Sequence, residues 1–127
     1  MALFTWYNKY SVNNEELDNH HKNLFKLFNR LYENCLQAGM PNCTGPIIDE
    51  LILYSVYHFQ AEEQFMANTG YKDIVNHKQM HCYFIEIATE MQKVENKDDY
   101  EHIKDLIVFL GDWLMHHVIE EDKKYAV

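Results

Sequence analysis

The chain has 127 residues, 47% of them apolar, and a formal net charge of -9 with Lys and Arg scattered along it. That length suits one domain around a single core. The acidity argues against nucleic acid as a partner, because phosphate binding needs a basic face. No apolar run approaches the roughly 18 residues that span a bilayer, which argues against a membrane.

Pro and Gly are scarce, at 2 and 4. Long stretches free of both favour helices over a turn-rich β fold. The opening residues lack the basic n-region of a secretory leader, so the cytoplasm is the expected location. Cys35, Cys43 and Cys82 are odd in number and share no CxxC spacing, as expected of reduced thiols.

Residues 1–14 carry no helical period and read as an extended arm, with Trp6 and Tyr10 packing on the body. The first helix is expected from about Asn14 or Glu15. Its apolar stripe is Leu17, His21, Leu24, Phe28, Leu31 and Cys35, stepping by three and four. It stops near Gly39-Met40-Pro41. Thr44 is the candidate cap of the second helix, with Pro46 in its first turn. That stripe is Ile47, Leu51, Tyr54, His58, Ala61 and Phe65, and the helix ends before Asn68-Thr69-Gly70.

The third helix is expected from about Lys72 to Val94, with Ile74, His77, His81, Phe84, Ala88 and Met91 on one face. Asp98 and Glu101 resemble a capping box for the fourth. That helix carries Ile103, Leu106, Leu110, Trp113 and His117 and runs to about Lys123. Four such helices with short polar links predict an all-α fold in one domain over 1–127. Its architecture is an antiparallel up-down-up-down four-helix bundle with an extended N-terminal arm.

In each stripe a histidine stands where Leu would otherwise sit. One such residue is satisfied easily by a backbone carbonyl or a tyrosine. Together with nearby carboxylates the set is His21, His58, Glu62, His77, His81, His117 and Asp122, near the middle of the bundle. Each one buried without a partner costs about 1–3 kcal/mol. A domain stable by about 5–15 kcal/mol cannot carry seven. They satisfy one another or bind something.

Residues four apart lie about 5–6 Å from each other on one helix face. His77 with His81, and His58 with Glu62, therefore each reach one centre. Asp122 follows His117 by five, which rotates it roughly 140° away on an ideal helix. Taken alone it reads as a solvated helix-end residue; it joins the set only where the helix distorts, for example through a π-type turn, and is counted because the family resemblance given below implies it. Two octahedral ions need about twelve ligand positions. Five imidazoles, two bridging carboxylates and one oxo or hydroxo bridge fill all but one of them. A zinc pair competes, but hydrolytic zinc sites lie where larger substrates enter.

The chain resembles the hemerythrins over nearly its whole length, as a small single-domain bacterial-type member. The matching segments are Trp6-Tyr7-Asn8-Lys9-Tyr10-Ser11-Val12, Asp18-Asn19-His20-His21-Lys22 (D-x-x-H-K) and His58-Phe59-Gln60-Ala61-Glu62-Glu63 (H-F-x-x-E-E). Further on, His77 and His81 match H-x-x-x-H, and Trp113-Leu114-Met115-His116-His117 leads to Asp122-Lys123-Lys124-Tyr125 (D-K-K-Y). Lys72 stands where many relatives have Pro.

The resemblance implies two iron ions with an oxo or hydroxo bridge. His77, His81 and His117 hold one, His21 and His58 the other, and Glu62 and Asp122 bridge. It implies reversible dioxygen binding at the two-histidine iron, for storage, delivery or buffering, by a protein that is not an enzyme. Leu24, Phe59, Trp113 and Leu114 line the ligand pocket. The alternatives are an oxygen or nitric oxide sensor, or a peroxide or nitric oxide scavenging enzyme. His20, His102 and His116 are expected at the surface, and Cys82 on another face from His81.

Overall fold

The computed structural model describes residues 4–33, 45–92 and 100–126, without the side chains of 45 and 100–103. Four helices follow in order: α1 (Glu15–Tyr32), α2 (Gly45–Thr69), α3 (Ile74–Gln92) and α4 (Tyr100–His116). Each packs on its chain neighbour, and α4 returns to α1. No strand occurs among the described residues. The expected turn at Gly39-Met40-Pro41, the Thr44 cap, Asp98 in the capping box, Cys35 and Cys43 lie outside the described residues, as does the His102 side chain.

Two apolar clusters show how the helices alternate. A small one joins Val12, Leu17, Met66 and Tyr125, and a large one runs from Leu24 and Phe28 through Leu51, Phe84 and Leu114. α1 meets the small cluster first, at Leu17, and the large one next, at Leu24. α2 meets them in the opposite order, from Leu51 to Met66, α3 reverses again, from Ile74 to Phe84, and the last helix once more, from Leu114 to Tyr125. This is the up-down-up-down bundle expected. The four histidine-bearing stretches fall between the clusters, so the polar layer lies nearer one end than the middle.

Local chemistry sets the ends. Asn14 caps α1, its side chain accepting from the Leu17 N–H at 3.0 Å. α2 continues through Asn68 and Thr69, two residues past the expected stop, and the Thr69 hydroxyl donates to the Phe65 carbonyl at 3.0 Å. Gly70 then takes a φ of 70°, and the Tyr71 N–H turns back to the Met66 carbonyl at 2.9 Å. α3 starts two residues later than expected. Lys72 and Asp73 form a turn, and the Asp73 carbonyl accepts from the His77 N–H at 3.1 Å.

The arm departs from a fully extended run by one 3₁₀ turn, Asn8–Tyr10, closed by Tyr10 N–H to the Tyr7 carbonyl at 2.9 Å. Trp6 and Tyr10 pack against the large cluster as expected. Asp18 anchors the arm to α1, accepting from the Ser11 hydroxyl and from the Val12 N–H at 2.8 Å. Asn29 pairs with the Phe4 backbone in both directions, at 2.9 and 2.8 Å.

Where α1 meets α4 the contact depends on Gly111. A Cβ there would stand 2.5 Å from the tip of the Phe28 ring. Phe28 is buried and stacked on Phe4 at 4.6 Å, so it has no room to yield. Gly111→Ala gains about 1 kcal/mol in helix propensity but forces an overpacked core costing about 1–3 kcal/mol. The expected net result is a lower urea midpoint with an unchanged slope.

Candidate metal centre

The end of the bundle answers the problem of Asp122. After His116 the helix widens into a π-helical turn, His117–Glu121, and the Asp122 N–H reaches back five residues to the His117 carbonyl. The wider turn, closed by an i→i+5 bond, brings position 122 back to the side of 117, which a 3.6-residue turn would not. A 3₁₀ turn, Asp122–Tyr125, follows.

All seven expected side chains meet. Donor atoms of Glu62, His77, His81, His117 and Asp122 lie within 4.8 Å of one another, as do those of His21, His58, Glu62 and Asp122. Both carboxylates belong to both groups. α1 supplies His21, α2 His58 and Glu62, α3 His77 and His81, and the distorted end of the last helix His117 and Asp122. None of the seven is more than 3% exposed.

On the three-histidine side, His117 Nε2 lies 3.1 Å from both His81 Nε2 and His77 Nε2. Asp122 Oδ1 is 3.0 Å from His77 Nε2 and from His117 Nε2, and Glu62 Oε1 is 3.3 Å from His81 Nε2. On the two-histidine side, His21 Nε2 is 2.9 Å from Asp122 Oδ2 and 3.2 Å from Glu62 Oε2, while His58 Nε2 is 3.2 Å from Glu62 Oε1.

Proximity here is not mutual satisfaction. His58 Nε2, Glu62 Oε1 and both Asp122 oxygens form no aligned hydrogen bond, nor does His21 Nδ1. Three Nε2 atoms crowded together cannot each be given a proton partner. Lone pairs of nitrogen and carboxylate oxygen aimed at one another without alignment suit cations between them, as the donor set suits iron or zinc. The residues present fit a pair of such ions.

A second layer fixes the donors. His81 Nδ1–H donates to Glu63 Oε2 at 2.9 Å, which turns its Nε2 lone pair inward. The Tyr125 hydroxyl donates to Glu62 Oε2. His58 Nδ1 faces His20 Nδ1 at 3.0 Å. Phe59 stacks on His81 with ring centroids 3.9 Å apart, and Trp113 on His117 at 4.3 Å. Leu24 and Leu114 are buried in the large cluster beside them.

His20 corrects the sequence reading, which placed it at the surface. It is buried, because the Tyr54 and Tyr57 rings of α2 close over it at 5.9 and 5.2 Å. His116 is exposed, as expected. Cys82 is free and exposed, off the face that His81 presents. The roles of Glu63 and Tyr125 were missed. Their signal lay in the H-F-x-x-E-E and D-K-K-Y segments, which gave identity without contact.

Burial and charge oppose each other inside the layer. Burial lowers the basicity of His21, but the Asp122 and Glu62 carboxylates, 2.9 and 3.2 Å from its Nε2, outweigh it and push the pKa up to about 10. Burial likewise opposes His81, which Glu62 and Glu63 raise above the usual histidine value. For His58 burial prevails over the pull of Glu62 and lowers it. Burial also lowers His20. Burial works to raise both carboxyls. His58, His21 and His81 hold Glu62 well below the usual range all the same, and His117 and His21 do the same for Asp122. Burial and the two carboxylates push Tyr125 upward, so its hydroxyl keeps its proton.

Fold and layer together define a four-helix protein with a buried histidine–carboxylate cluster able to hold metal ions. Residues 12–126 match the family described as the hemerythrin HHE cation binding domain, and the chain belongs to that family. It is 33% identical over 127 residues to a bacteriohemerythrin of Methylococcus capsulatus, covering 99% of this chain and 96% of that protein. It is 30% identical to a bacteriohemerythrin of Clostridium acetobutylicum, covering 97% and 98%. The crystal structure of a hemerythrin leucine-to-alanine variant superposes with a TM-score of 0.83 at 30% identity, covering 99% of this chain and 96% of that one. Among the described residues no helix is long and apolar enough to cross a membrane.

Proposed function

We propose that the chain binds dioxygen reversibly at two iron ions. His77, His81 and His117 hold one, His21 and His58 the other, and Glu62 and Asp122 serve both. The observation that carries this reading is the buried layer of five imidazoles and two shared carboxylates, with donor atoms that lack aligned partners inside the protein. Iron held there would supply the redox chemistry for reversible dioxygen binding.

The chain's own residues set the conditions. The two-histidine side has one imidazole fewer, so the small ligand belongs there. Glu63 and Tyr125 hold His81 and Glu62 in place, which limits rearrangement when a ligand arrives. Leu24, Phe59, Trp113 and Leu114 form a pocket wall that slows entry of water and loss of the oxygenated form. None of these four side chains is an acid that releases a proton, and the Tyr125 hydroxyl is committed to Glu62, so binding is favoured over turnover. A reducing cytoplasm suits both ferrous iron and the free thiol of Cys82.

The test is loading with ferrous iron without air, then exposure to oxygen. Two irons per chain and a visible absorption band that fades under vacuum and returns in air are expected. A colourless protein that takes zinc in stoichiometric amount and no iron would overturn the proposal.

A further inference from the structure

We infer that His20 is a positioning residue: its Nδ1 accepts the Nδ1 proton of His58 and so holds the His58 Nε2 lone pair toward the two-histidine centre. The inference rests on the metal reading above and deepens it. His20 follows no part of the seven-residue pattern and stands one position before His21.

The two Nδ1 atoms lie 3.0 Å apart, buried, with the rings nearly perpendicular at 82°. At that distance one proton lies between the two nitrogens, and with both rings neutral only two arrangements exist. In the first, His20 carries the proton on Nδ1 and donates it. His58 then bears its own proton on Nε2, which closes that nitrogen to a cation and would direct it at Glu62 Oε1, 3.2 Å away. No aligned hydrogen bond forms between them. In the second, His58 donates from Nδ1, its Nε2 lone pair is free, and His20 carries its proton on Nε2. The lack of an aligned His58–Glu62 bond favours the second.

His20 cannot easily turn away. Tyr54 meets it edge-on at 82° and Tyr57 lies against it at 5.2 Å. The two centres therefore receive different support. On the three-histidine side, His81 donates to a carboxylate, Glu63. On the two-histidine side, His58 donates to an imidazole. The effect of losing His20 should fall on one ion and not on both.

The experiment is anaerobic titration with ferrous iron of the wild type, His20→Leu and His20→Asn. Asparagine places an amide oxygen near the Nδ1 position, whereas leucine offers no acceptor. His20→Leu should bind the first ion as the wild type does and the second about 10–100-fold more weakly, the usual effect of removing such a partner. His20→Asn should recover most of that loss. Equal weakening of both ions, or no rescue by asparagine, would mean that His20 only fills space, and wild-type affinity for both ions in His20→Leu would also overturn the inference. A wild type that binds no iron at all would instead sink the metal reading itself. Should the variants not fold, nitrogen-resolved imidazole spectra of the zinc-loaded wild type decide. His58 protonated on Nδ1 and His20 on Nε2 is the expected result, and His20 protonated on Nδ1 refutes the inference.

Discussion

Glu62→Gln should cut metal uptake from the two ions per chain proposed above to one or none, with affinity lost by more than about 100-fold. The carboxylate is the meeting point of the layer. Its Oε1 lies 3.2 Å from His58 Nε2 and 3.3 Å from His81 Nε2, on opposite sides, while Oε2 lies 3.2 Å from His21 Nε2 and accepts from Tyr125. Glutamine keeps the shape and exchanges one of these oxygens for an NH₂ group, which has no lone pair for a cation. It also removes one of two carboxylate charges from a layer buried away from solvent, where a bare cation is costly. Asp122 alone cannot replace a ligand shared by both groups.

Glu63→Gln provides the control. Glu63 touches His81 Nδ1 from outside the layer, and its loss should cost only about 10–100-fold. Metal analysis after dialysis, with far-ultraviolet circular dichroism to verify the helices, separates the two. Two tightly held ions in Glu62→Gln would mean that this carboxylate is not shared.

The bundle and six of the seven residues were readable because they obey helical spacing. Apolar residues at three and four define each face, and His58 with Glu62, or His77 with His81, repeat that step. Asp122 was harder. Five residues from His117 put it on the wrong side of a regular helix, and only the π-helical turn, foreseen as a condition, brings it in. His20 was misread because helical phase alone turns it away from the seam. Burial there is decided by Tyr54 and Tyr57 of a neighbouring helix, whose sizes a stripe does not encode. Glu63 and Tyr125 were visible as letters in segments, but a hydrogen bond across 63 positions of chain, as from Tyr125 to Glu62, has no periodic signature. Helix ends shifted by two residues where a threonine hydroxyl and a turning aspartate settled matters locally.

The metal-free protein should be most stable near pH 6.5, because His58 and His20 are lowered on folding and His21 is raised, and should lose about 2–3 kcal/mol by pH 8.5. His21 drives the loss. Its pKa is raised from 6.5 to about 10 because Asp122 and Glu62 overcome the cost of burial. A group raised on folding stabilises fully below its unfolded value. Above 6.5 the unfolded chain releases the proton while the folded protein still holds it, so stability falls by roughly 1.4 kcal/mol per pH unit until about pH 10. His81, raised as well, adds to the same slope. On the acid side the sign reverses. Glu62 and Asp122 are lowered on folding, so their contribution is present above the unfolded values of 4.5 and 3.8 and is lost as the pH drops. Loading with metal removes the alkaline loss, because a cation takes the lone pair that the His21 proton occupied. Urea unfolding at pH 6 and 8.5, with and without metal, measures the difference, and a pH indicator should record proton release on loading at pH 8. A metal-free protein equally stable at both pH values would show that His21 is neutral in the fold and that the two carboxylates are held apart from it.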